Sequence, residues 1–473
     1  MSQNTLINPA LIGKYDIPGP RYTSYPTADR FVDASDLSAL TSRSASQARP
    51  SMGRSLSLYF HIPFCDTVCF YCACNKIAAK NRVLGTRYVD YLLREMSLKS
   101  RDLPGKQRVS QMHWGGGTPT FLTVEDTQRL VDGICKIFAL DPEGEHSIEI
   151  DPRRADVTRM KILAEAGFNR VSIGVQDFDP AVQKAVNRLQ SIEETRTVIN
   201  AARDYGFRSV SIDLIYGLPH QTARSFDNTL AHVLSLQPDR LSLYSYAHLP
   251  AKFMPQRRIN GDALPPPTEK MAILQSAVER LVSAGYVYIG MDHFARPDDE
   301  LAIAQRAGTL HRNFQGYSTH ADCDLLAFGV SAIGLADGVY TQNDRTLDGY
   351  YAALDRDELP IIRGWVMSEE DELRRAIIQS LMCQFELTFT ELERDFGHLF
   401  TDRKGEPFDA RFAEYFAAEF EDLRALEGAG LVRIEPSRLV VTEAGRYLVR
   451  VIAMAFDAYL RADKGSTRYS KVI

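Results

Sequence analysis

Four of the seven cysteines lie within ten consecutive positions, as Cys65, Cys69, Cys72 and Cys74. The C-x3-C-x2-C spacing of the first three lets one loop bring three thiolates to three irons of a cubane. The remaining iron then has no protein ligand, so a small molecule can chelate it. The alternative is a zinc site that uses all four cysteines, but zinc modules usually pair two C-x2-C knuckles across a much longer segment. The pattern favours an iron–sulfur cluster on Cys65, Cys69 and Cys72, and the role of Cys74 stays open.

A second candidate is the glycine-rich segment His113-Trp-Gly-Gly-Gly-Thr-Pro119, which ends the next β-rich run. Glycines let the backbone approach a ligand closely, and N–H groups at the edge of a sheet can meet a carboxylate. Three glycines are a weak signal by themselves. Because they follow the cysteine loop by one β-α unit, we predict that both loops line one site.

Two acidic residues belong to neighbouring β-rich runs. Glu149 is the next-to-last residue of the run SIEI, near a predicted strand end, where an acid is more typical of a site than of a core. Asp213 lies inside the apolar run SIDLIYG, where a buried carboxylate requires a partner. Arg188 is the candidate partner of Asp213, either within the site or as a purely structural bridge.

The elements that position these residues alternate between β-rich runs and helical patterns from about Ser55 to Gly334. Such alternation predicts an α/β fold with β-α units around a parallel sheet, as a full or partial barrel. Apolar residues recur at helical spacing at Val89, Leu92, Leu93 and Met96, as expected of a crossover helix with one buried face. In such folds the chemistry lies in loops after the strands, and the motifs above fall in those loops.

We predict three parts: an N-terminal extension or lid over residues 1–54, a catalytic barrel over 55–365, and a mainly helical C-terminal domain over 366–473. Ser368 and Asp371 form a predicted capping box at the start of the last part. A hairpin there precedes Thr442, the predicted N-cap of a long helix to about Leu460, as in a winged helix. We expect this domain to close the active site rather than to bind DNA.

The amino-acid composition argues against several classes of function and location. A net charge of −6 disfavours nucleic acid as a partner. No apolar run is long enough to span a membrane, and the N-terminus lacks the basic start and apolar core of a secretory signal. The seven cysteines are an odd number and four of them are clustered, which suits a metal site in a reducing compartment better than a disulfide framework. We therefore expect a cytoplasmic protein, and a monomer because no interface pattern stands out.

The cysteine loop resembles the signature of the radical S-adenosylmethionine (SAM) superfamily. In that superfamily the open iron binds the amino and carboxylate groups of SAM, and reductive cleavage yields a 5′-deoxyadenosyl radical. The glycine-rich loop is similar to the SAM-binding loop of the same superfamily. The chain's longer motifs, in order, are GPRYTSYPT, YFHIPFC, HWGGGTPT, IEIDP, GVQDF, IDLIYGLP, YAHLP, GMDHFA, HRNFQGY and YSKVI.

Across nearly the whole chain this order resembles the oxygen-independent coproporphyrinogen III oxidases. The resemblance implies a radical SAM barrel that decarboxylates two propionates of coproporphyrinogen III to vinyl groups, giving protoporphyrinogen IX in haem biosynthesis. It also implies a four-iron four-sulfur cluster, two SAM molecules and an electron donor such as a flavodoxin-like reductant. The family commonly has Phe where this chain has Tyr71.

By matching motif positions, the resemblance assigns the cluster-bound SAM to Tyr59, Tyr71, Gly116 and Glu149, and a second SAM to Gly117, Thr118, Gln176, Arg188, Asp213, Ala247 and Ile333. The catalytic candidates are Tyr59, Glu149, Arg21 and Cys74.

The propionates of such a substrate require fixed positive charge, and the candidates are Arg21, Arg296 and Arg312. Two other functions stay open: a haem-binding chaperone of the broader family and a radical SAM methyltransferase. Of the remaining cysteines, Cys135 and Cys383 are expected in the core, because both lie in apolar helical patterns.

Overall fold

The computed structural model describes residues 9–36, 54–101, 103, 105–320, 323–400, 412–463 and 469–472. The stretch SRSASQARPSMGRS, residues 42–55, reads from the sequence as a joint. It lies almost entirely outside the described residues, so this interpretation stays a prediction.

The strands, numbered in chain order, are β1 Val32–Asp33, β2 Leu56–Ile62, β3 Phe64–Cys65, β4 Ile77–Ala78, β5 Arg108–Gly116, β6 Ala139–Ile150, β7 Arg170–Gln176, β8 Ser209–Tyr216, β9 Arg240–Ser245, β10 Val287–Gly290, β11 His293–Ala295, β12 His311–Asn313, β13 Gly316–Ser318, β14 Asp324–Phe328, β15 Ile333–Ala336, β16 Val339–Asn343, β17 Ile361–Val366, β18 Glu386–Thr388, β19 Val432–Glu435 and β20 Arg438–Val441.

The described α-helices are α1 Pro9–Tyr15, α2 Val83–Ser100, α3 Val124–Ile137, α4 Val157–Glu165, α5 Pro180–Ala185, α6 Ile192–Asp204, α7 Ala223–Ser235, α8 Pro267–Ser283, α9 Glu300–Arg306, α10 Leu347–Asp355, α11 Glu369–Gln384, α12 Phe389–Phe396, α13 Phe412–Tyr415, α14 Ala417–Gly428, α15 Glu443–Arg446, α16 Val449–Met454 and α17 Ala458–Ala462. Short 3-10 helices lie at Ala28–Arg30, Pro119–Phe121, Pro152–Arg154, Met254–Arg258, Gly261–Ala263 and Gly397–Leu399. None of the helices described could span a membrane.

The chain divides into two compact units. The first, here the sheet unit, comprises Phe31–Ala284 and Asp322–Val366. The second, here the terminal unit, comprises Met1–Arg30, Gly285–Ala321 and Met367–Ile473. The predicted three-part division stays a prediction.

In the sheet unit the strand order is β1-β17-β16-β15-β14-β2-β5-β6-β7-β8-β9. The strands from β14 to β9 run parallel, and β14 to β17 pair antiparallel. Helices connect successive parallel strands, and α2 buries Val89, Leu92 and Met96 as predicted, whereas Leu93 is only partly buried. The prediction of an α/β fold built on a parallel sheet is confirmed.

Several crossover helices begin at a serine or threonine whose side chain caps the first helical turn. Thr123 accepts a hydrogen bond from the N–H of Asp126 at the start of α3. Ser191 and Thr222 each complete a capping box, at α6 and α7 respectively. Such caps satisfy N–H groups that the first helical turn leaves unpaired, so these helices begin at positions readable from the sequence.

The terminal unit is mainly helical, and α11 starts with the predicted capping box of Ser368 and Asp371. Strands β18, β20 and β19 form its small antiparallel sheet. The predicted long helix from Thr442 to about Leu460 is wrong. Thr442 caps only α15, and the chain then forms α16 and α17. The Asp457 side chain accepts the N–H of Leu460 and so starts a new helix within the predicted one.

Within the terminal unit, Arg450 connects the two ends of the chain. Its buried guanidinium donates to the carbonyl oxygens of Gly19, Pro20 and Val472, the last two at 2.9 Å. Desolvation by burial lowers the pKa of Arg450 to about 10. Hydrogen bonds to several carbonyls offset part of the cost of burying this charge.

The sheet unit contains a second buried charge, Glu95 on α2, which has no exposed surface. Its carboxylate accepts hydrogen bonds from Tyr350, Asn343 and the N–H of Gly329, and pairs with Lys99 at 2.7 Å. The network joins α2 to the turn after β14 and to α10. Each carboxylate oxygen is satisfied, which makes a buried charge tolerable at this position.

We predict that Glu95→Ala lowers the free energy of unfolding by about 3 kcal/mol or more, because it leaves the Lys99 ammonium and several donors unpaired. The matched control is Glu358→Ala, which removes an exposed ion pair with Arg356 and should cost about 1 kcal/mol or less. Thermal unfolding of both variants measures the difference. Equal midpoints for the two variants would contradict the prediction.

Candidate active site

A cavity of about 320 Å³ lies in the sheet unit at the carboxyl ends of strands β5 to β9. Its lining includes most residues that the sequence nominated: Cys65, Cys69, Tyr71, Cys72, Cys74, Gly116, Gly117, Thr118, Glu149, Gln176, Arg188 and Asp213. The successive parallel strands end side by side, so residues far apart in the chain line one cavity.

The cysteine loop is closed at its base by the short parallel pair of β3 and β4. Cys65 Sγ lies 3.6 Å from Thr118 Oγ1, and Cys69 Sγ lies 3.5 Å from Arg188 Nη1. Burial raises the pKa of Cys65 to about 11. A hydrogen bond with the Cys74 thiol, together with nearby Lys76, lowers the pKa of Cys72 to about 6.

The thiols of the cysteine loop suit an iron–sulfur cluster better than a single metal ion. Among the described residues, no three histidine, cysteine or acidic side chains converge as ligands of a single metal ion. A cubane takes each cysteine on a different iron, so its thiols need only face one cavity. Cys65, Cys69 and Cys72 all line the same cavity, and their soft sulfur donors fit a four-iron four-sulfur cluster.

The glycine-rich loop packs directly against the cysteine loop. The N–H groups of Gly117 and Thr118 donate to the carbonyl oxygens of Ile62 and Phe64, both at 2.8 Å. A Cβ atom at Gly117 would lie 2.7 Å from backbone atoms of Pro63 and Phe64. Only glycine therefore allows this approach of the two loops.

Glu149, at the end of β6, is held by its neighbours on β5. His113 Nε2 donates to Glu149 Oε1 at 3.2 Å, and the N–H of Gly116 donates to Oε2 at 3.2 Å. Desolvation would raise the pKa of Glu149, but these hydrogen bonds hold it below its usual value. Glu149 is therefore an ionised acceptor in the cavity at neutral pH.

The predicted bridge between Arg188 and Asp213 is wrong. Arg188 Nη1 lies 3.2 Å from Asp151 Oδ2, and Nη2 donates to the carbonyl of Gly174. Asp213 instead accepts a hydrogen bond from Ser172 at 3.0 Å. Burial, and then the charge of Glu149, raises the pKa of Asp213 to about 6. Asp151 directly follows β6, and its carboxylate is the partner of Arg188 that the sequence reasoning missed.

Three buried polar atoms of cavity-lining residues have no hydrogen-bond partner among the described residues: Asp66 Oδ2, Gln176 Oε1 and Arg188 Nε. Asp66 Oδ2 lies 3.3 Å from Arg154 Nε in an ion pair, whereas Gln176 Oε1 and Arg188 Nε have no such partner. Gln176 also adopts a left-handed backbone conformation, with φ +68°. Unsatisfied buried polar atoms are costly, and in a cavity they are typical of a ligand site.

Sequence reasoning missed another cavity residue, Arg153, which pairs with Asp151 at 2.6 Å. Its Nη2 lies 3.9 Å from Cys69 Sγ. The acid–base run Asp151-Pro-Arg-Arg directly after a strand was the signal for these residues. Arg153 and Arg188 together place two guanidinium groups beside Cys69.

The structure does not bring every nominated residue to the cavity lining. Tyr59, Ala247 and Ile333 belong to the sheet unit but are absent from that lining. Tyr59 lies nearby, since its ring stacks on His113 with centroids 5.9 Å apart. Arg21 belongs to the terminal unit, where it donates to Asp292. Among the other cysteines, Cys383 is buried as expected, whereas the expectation for Cys135 is wrong because it lies on an exposed helix face.

Comparisons with known proteins agree with these features. A model of the radical SAM superfamily matches residues 59–233, and one of the HemN C-terminal domain matches residues 367–448. The oxygen-independent coproporphyrinogen III oxidase of Pseudomonas aeruginosa is 49% identical over 98% of each chain. That of Escherichia coli is 45% identical over 98% of each chain. The solved structure described as coproporphyrinogen III oxidase (HemN) from Escherichia coli has a TM-score of 0.87 at 43% identity and covers 96% of this chain and 99% of its own.

We predict that Gly117→Ala displaces the cysteine loop, because the added methyl group meets backbone atoms that cannot rotate away. The variant should lose most of the iron that the unchanged protein takes up in anaerobic reconstitution. Gly261→Ala is the matched control in the same unit, since the nearest atom to its added methyl group is 4.0 Å away. Equal iron content in both variants would contradict the prediction.

Proposed function

The chain belongs to the oxygen-independent coproporphyrinogen III oxidases, and on this premise we propose how its cavity serves the reaction. The enzyme decarboxylates two propionates of coproporphyrinogen III oxidatively to vinyl groups and forms protoporphyrinogen IX, a step of haem biosynthesis. It uses a four-iron four-sulfur cluster and SAM. When bound, these cofactors supply a 5′-deoxyadenosyl radical for hydrogen abstraction from a propionate.

The observation that carries the residue assignment is the shared cavity of the cysteine loop, the glycine-rich loop and Glu149. Cys65, Cys69 and Cys72 would hold the cluster. The cluster-bound SAM would contact Tyr59, Tyr71, Gly116 and Glu149. The ionised Glu149 would accept hydrogen bonds from the cofactor, and the parallel strand ends keep these groups in fixed positions.

A second SAM molecule in the same cavity would allow two decarboxylations without exchange of cofactor. Its proposed contacts are Gly117, Thr118, Gln176, Arg188, Asp213, Ala247 and Ile333. The buried, unpartnered Gln176 Oε1 and Arg188 Nε support this proposal, because a ligand would satisfy both.

Three arginines are candidates to bind the propionates of the substrate, and Arg312 has the strongest support. It is 4% exposed, and its Nε and Nη1 have no hydrogen-bond partner in the described part of the chain. Arg21 already pairs with Asp292, and the exposed Arg296 lies 3.6 Å from Asp298. A buried guanidinium with unused donors can bind a carboxylate. We therefore assign Arg312, rather than Arg21 or Arg296, to a propionate carboxylate of the substrate.

The reaction also needs an electron donor and an electron acceptor, and the cysteines indicate where the enzyme works. An electron donor such as a flavodoxin-like protein would supply the electron that the bound cluster needs, and an external acceptor would take the electron released with each carbon dioxide. None of the seven cysteines forms a disulfide, which supports a reducing, cytoplasmic location. The enzyme works as a monomer, with Tyr59, Glu149, Arg21 and Cys74 as its catalytic candidates.

An anaerobic assay with coproporphyrinogen III, SAM and a reductant tests the function. We expect protoporphyrinogen IX and two 5′-deoxyadenosines per product, measured by chromatography. Cys72→Ser should abolish both products, because a hard oxygen replaces a soft thiolate. Cleavage of SAM without change in the porphyrin would refute the substrate assignment. Release of S-adenosylhomocysteine would indicate a methyltransferase, and stable haem binding without turnover would indicate a chaperone.

We predict that Arg312→Gln raises KM for coproporphyrinogen III by about tenfold or more, the usual cost of a lost charged hydrogen bond. Arg312→Lys keeps the charge and should fall between Arg312→Gln and the unchanged enzyme. Arg296→Gln is the matched control and should leave KM unchanged. A normal KM in Arg312→Gln would exclude Arg312 as a propionate ligand.

A further inference from the structure

His61 lies in the segment that leads into the cysteine loop, and the proposed function gives it no role. Its side chain is 6% exposed. The ring has a hydrogen-bond partner at each nitrogen: Nε2 lies 2.9 Å from the carbonyl oxygen of Asn75, and Nδ1 lies 3.0 Å from the hydroxyl of Tyr59. Tyr59 is a proposed contact of the cluster-bound SAM.

These partners determine where the ring carries its proton. A carbonyl oxygen can only accept, so Nε2 must be the protonated nitrogen. Burial lowers the pKa of His61 below its usual value, so the ring is neutral and Nδ1 presents only a lone pair. The Tyr59 hydroxyl therefore donates its single proton to His61 Nδ1.

Neighbouring residues hold the His61 and Tyr59 rings in the positions of this hydrogen bond. A Cβ atom at Gly116 would lie 2.7 Å from the imidazole, so the glycine-rich loop packs directly against one side of it. The Tyr59 ring is stacked on His113, with an interplanar angle of 11°. Strand register places Tyr59 directly beside His113 on the neighbouring strand. Both partners of the hydrogen bond are thus held in place by packing.

The hydrogen bond to His61 limits the ligand groups that the Tyr59 hydroxyl can recognise. With its proton committed to His61, the Tyr59 oxygen can only accept a further hydrogen bond. His113, on which Tyr59 stacks, donates to Glu149, whose ionised carboxylate is also an acceptor. Tyr59 and Glu149 thus form a pair of acceptors, complementary to a ligand group that carries hydrogens, such as a hydroxyl or an ammonium.

We propose that His61 is a positioning residue that, as the neutral Nε2–H tautomer, makes Tyr59 an obligate hydrogen-bond acceptor for a hydroxyl or ammonium group of SAM. This inference rests on the proposed contact of Tyr59 with SAM. It assigns His61 no contact with the cofactor and no share in the chemical step.

The tautomer can be measured without cofactor. In protein labelled with [15N]histidine, NMR should show one protonated and one unprotonated ring nitrogen for His61 at neutral pH, with the proton on Nε2. The His61→Asn variant assigns the signals by their loss. A proton on Nδ1, or an imidazolium, would overturn the proposal.

A double-mutant cycle on the SAM dissociation constant tests the coupling. Tyr59→Phe and His61→Leu should each weaken SAM binding by about fivefold, the effect of one net hydrogen bond. The double variant should bind no more weakly than Tyr59→Phe alone. His61→Asn, whose Oδ1 can replace Nδ1 as acceptor, should bind better than His61→Leu. His232→Leu, at an exposed position on α7, is the control and should not change binding.

The outcomes separate the two proposals. Normal SAM binding by Tyr59→Phe would refute the contact between Tyr59 and SAM, and with it the role of His61. Weak binding by Tyr59→Phe with normal binding by His61→Leu would refute only the positioning role. Additive losses in the double variant would also refute it, because His61 would then act without Tyr59. Iron content and thermal midpoints of each variant must match those of the unchanged protein, and His61→Asn substitutes for His61→Leu if the latter does not fold.

Discussion

The backbone contact between the glycine-rich loop and the cysteine loop is the constraint on which the cavity depends. Gly117 approaches Pro63 and Phe64 so closely that a single methyl group would separate the loops. The N–H groups of Gly117 and Thr118 hold the same backbone segment by hydrogen bonds. Two neighbouring parallel strands, β2 and β5, deliver these loops to one edge of the sheet. The sheet places the two loops next to each other, and the glycine at position 117 lets their backbones touch.

Buried polar groups fall into two classes in this protein. Glu95 and Arg450 are fully engaged, one by donors from three elements and the other by carbonyl oxygens from both chain ends. Gln176, Arg188 and Arg312 each keep buried atoms without partners in the described part of the chain. The satisfied groups hold the fold together. Of the unsatisfied ones, Gln176 and Arg188 line the cavity, where a ligand could supply the missing partners.

The cavity also contains groups whose protonation is set by their neighbours. Glu149 is held ionised by His113 and Gly116, and Asp213 has a pKa raised to about 6 by burial and by Glu149. His61 fixes the direction of the Tyr59 hydroxyl through its own bond to Asn75. Hydrogen-bond direction is as much a part of this site as the identity of its residues.

The sequence by itself determined the features that depend on local spacing. These were the three-cysteine loop, the alternation of strands and helices, the capping box at Ser368 and the order of the loops along the sheet edge. Tertiary structure alone decided which groups pair. Arg188 binds Asp151, 37 positions away, rather than Asp213, and Asp457 breaks the last predicted helix while accepting from Tyr22, 435 positions away. Residue spacing records periodicity and caps because those interactions are local. The partner of a buried charge depends on which strand ends and loops meet in space, and no local pattern specifies that.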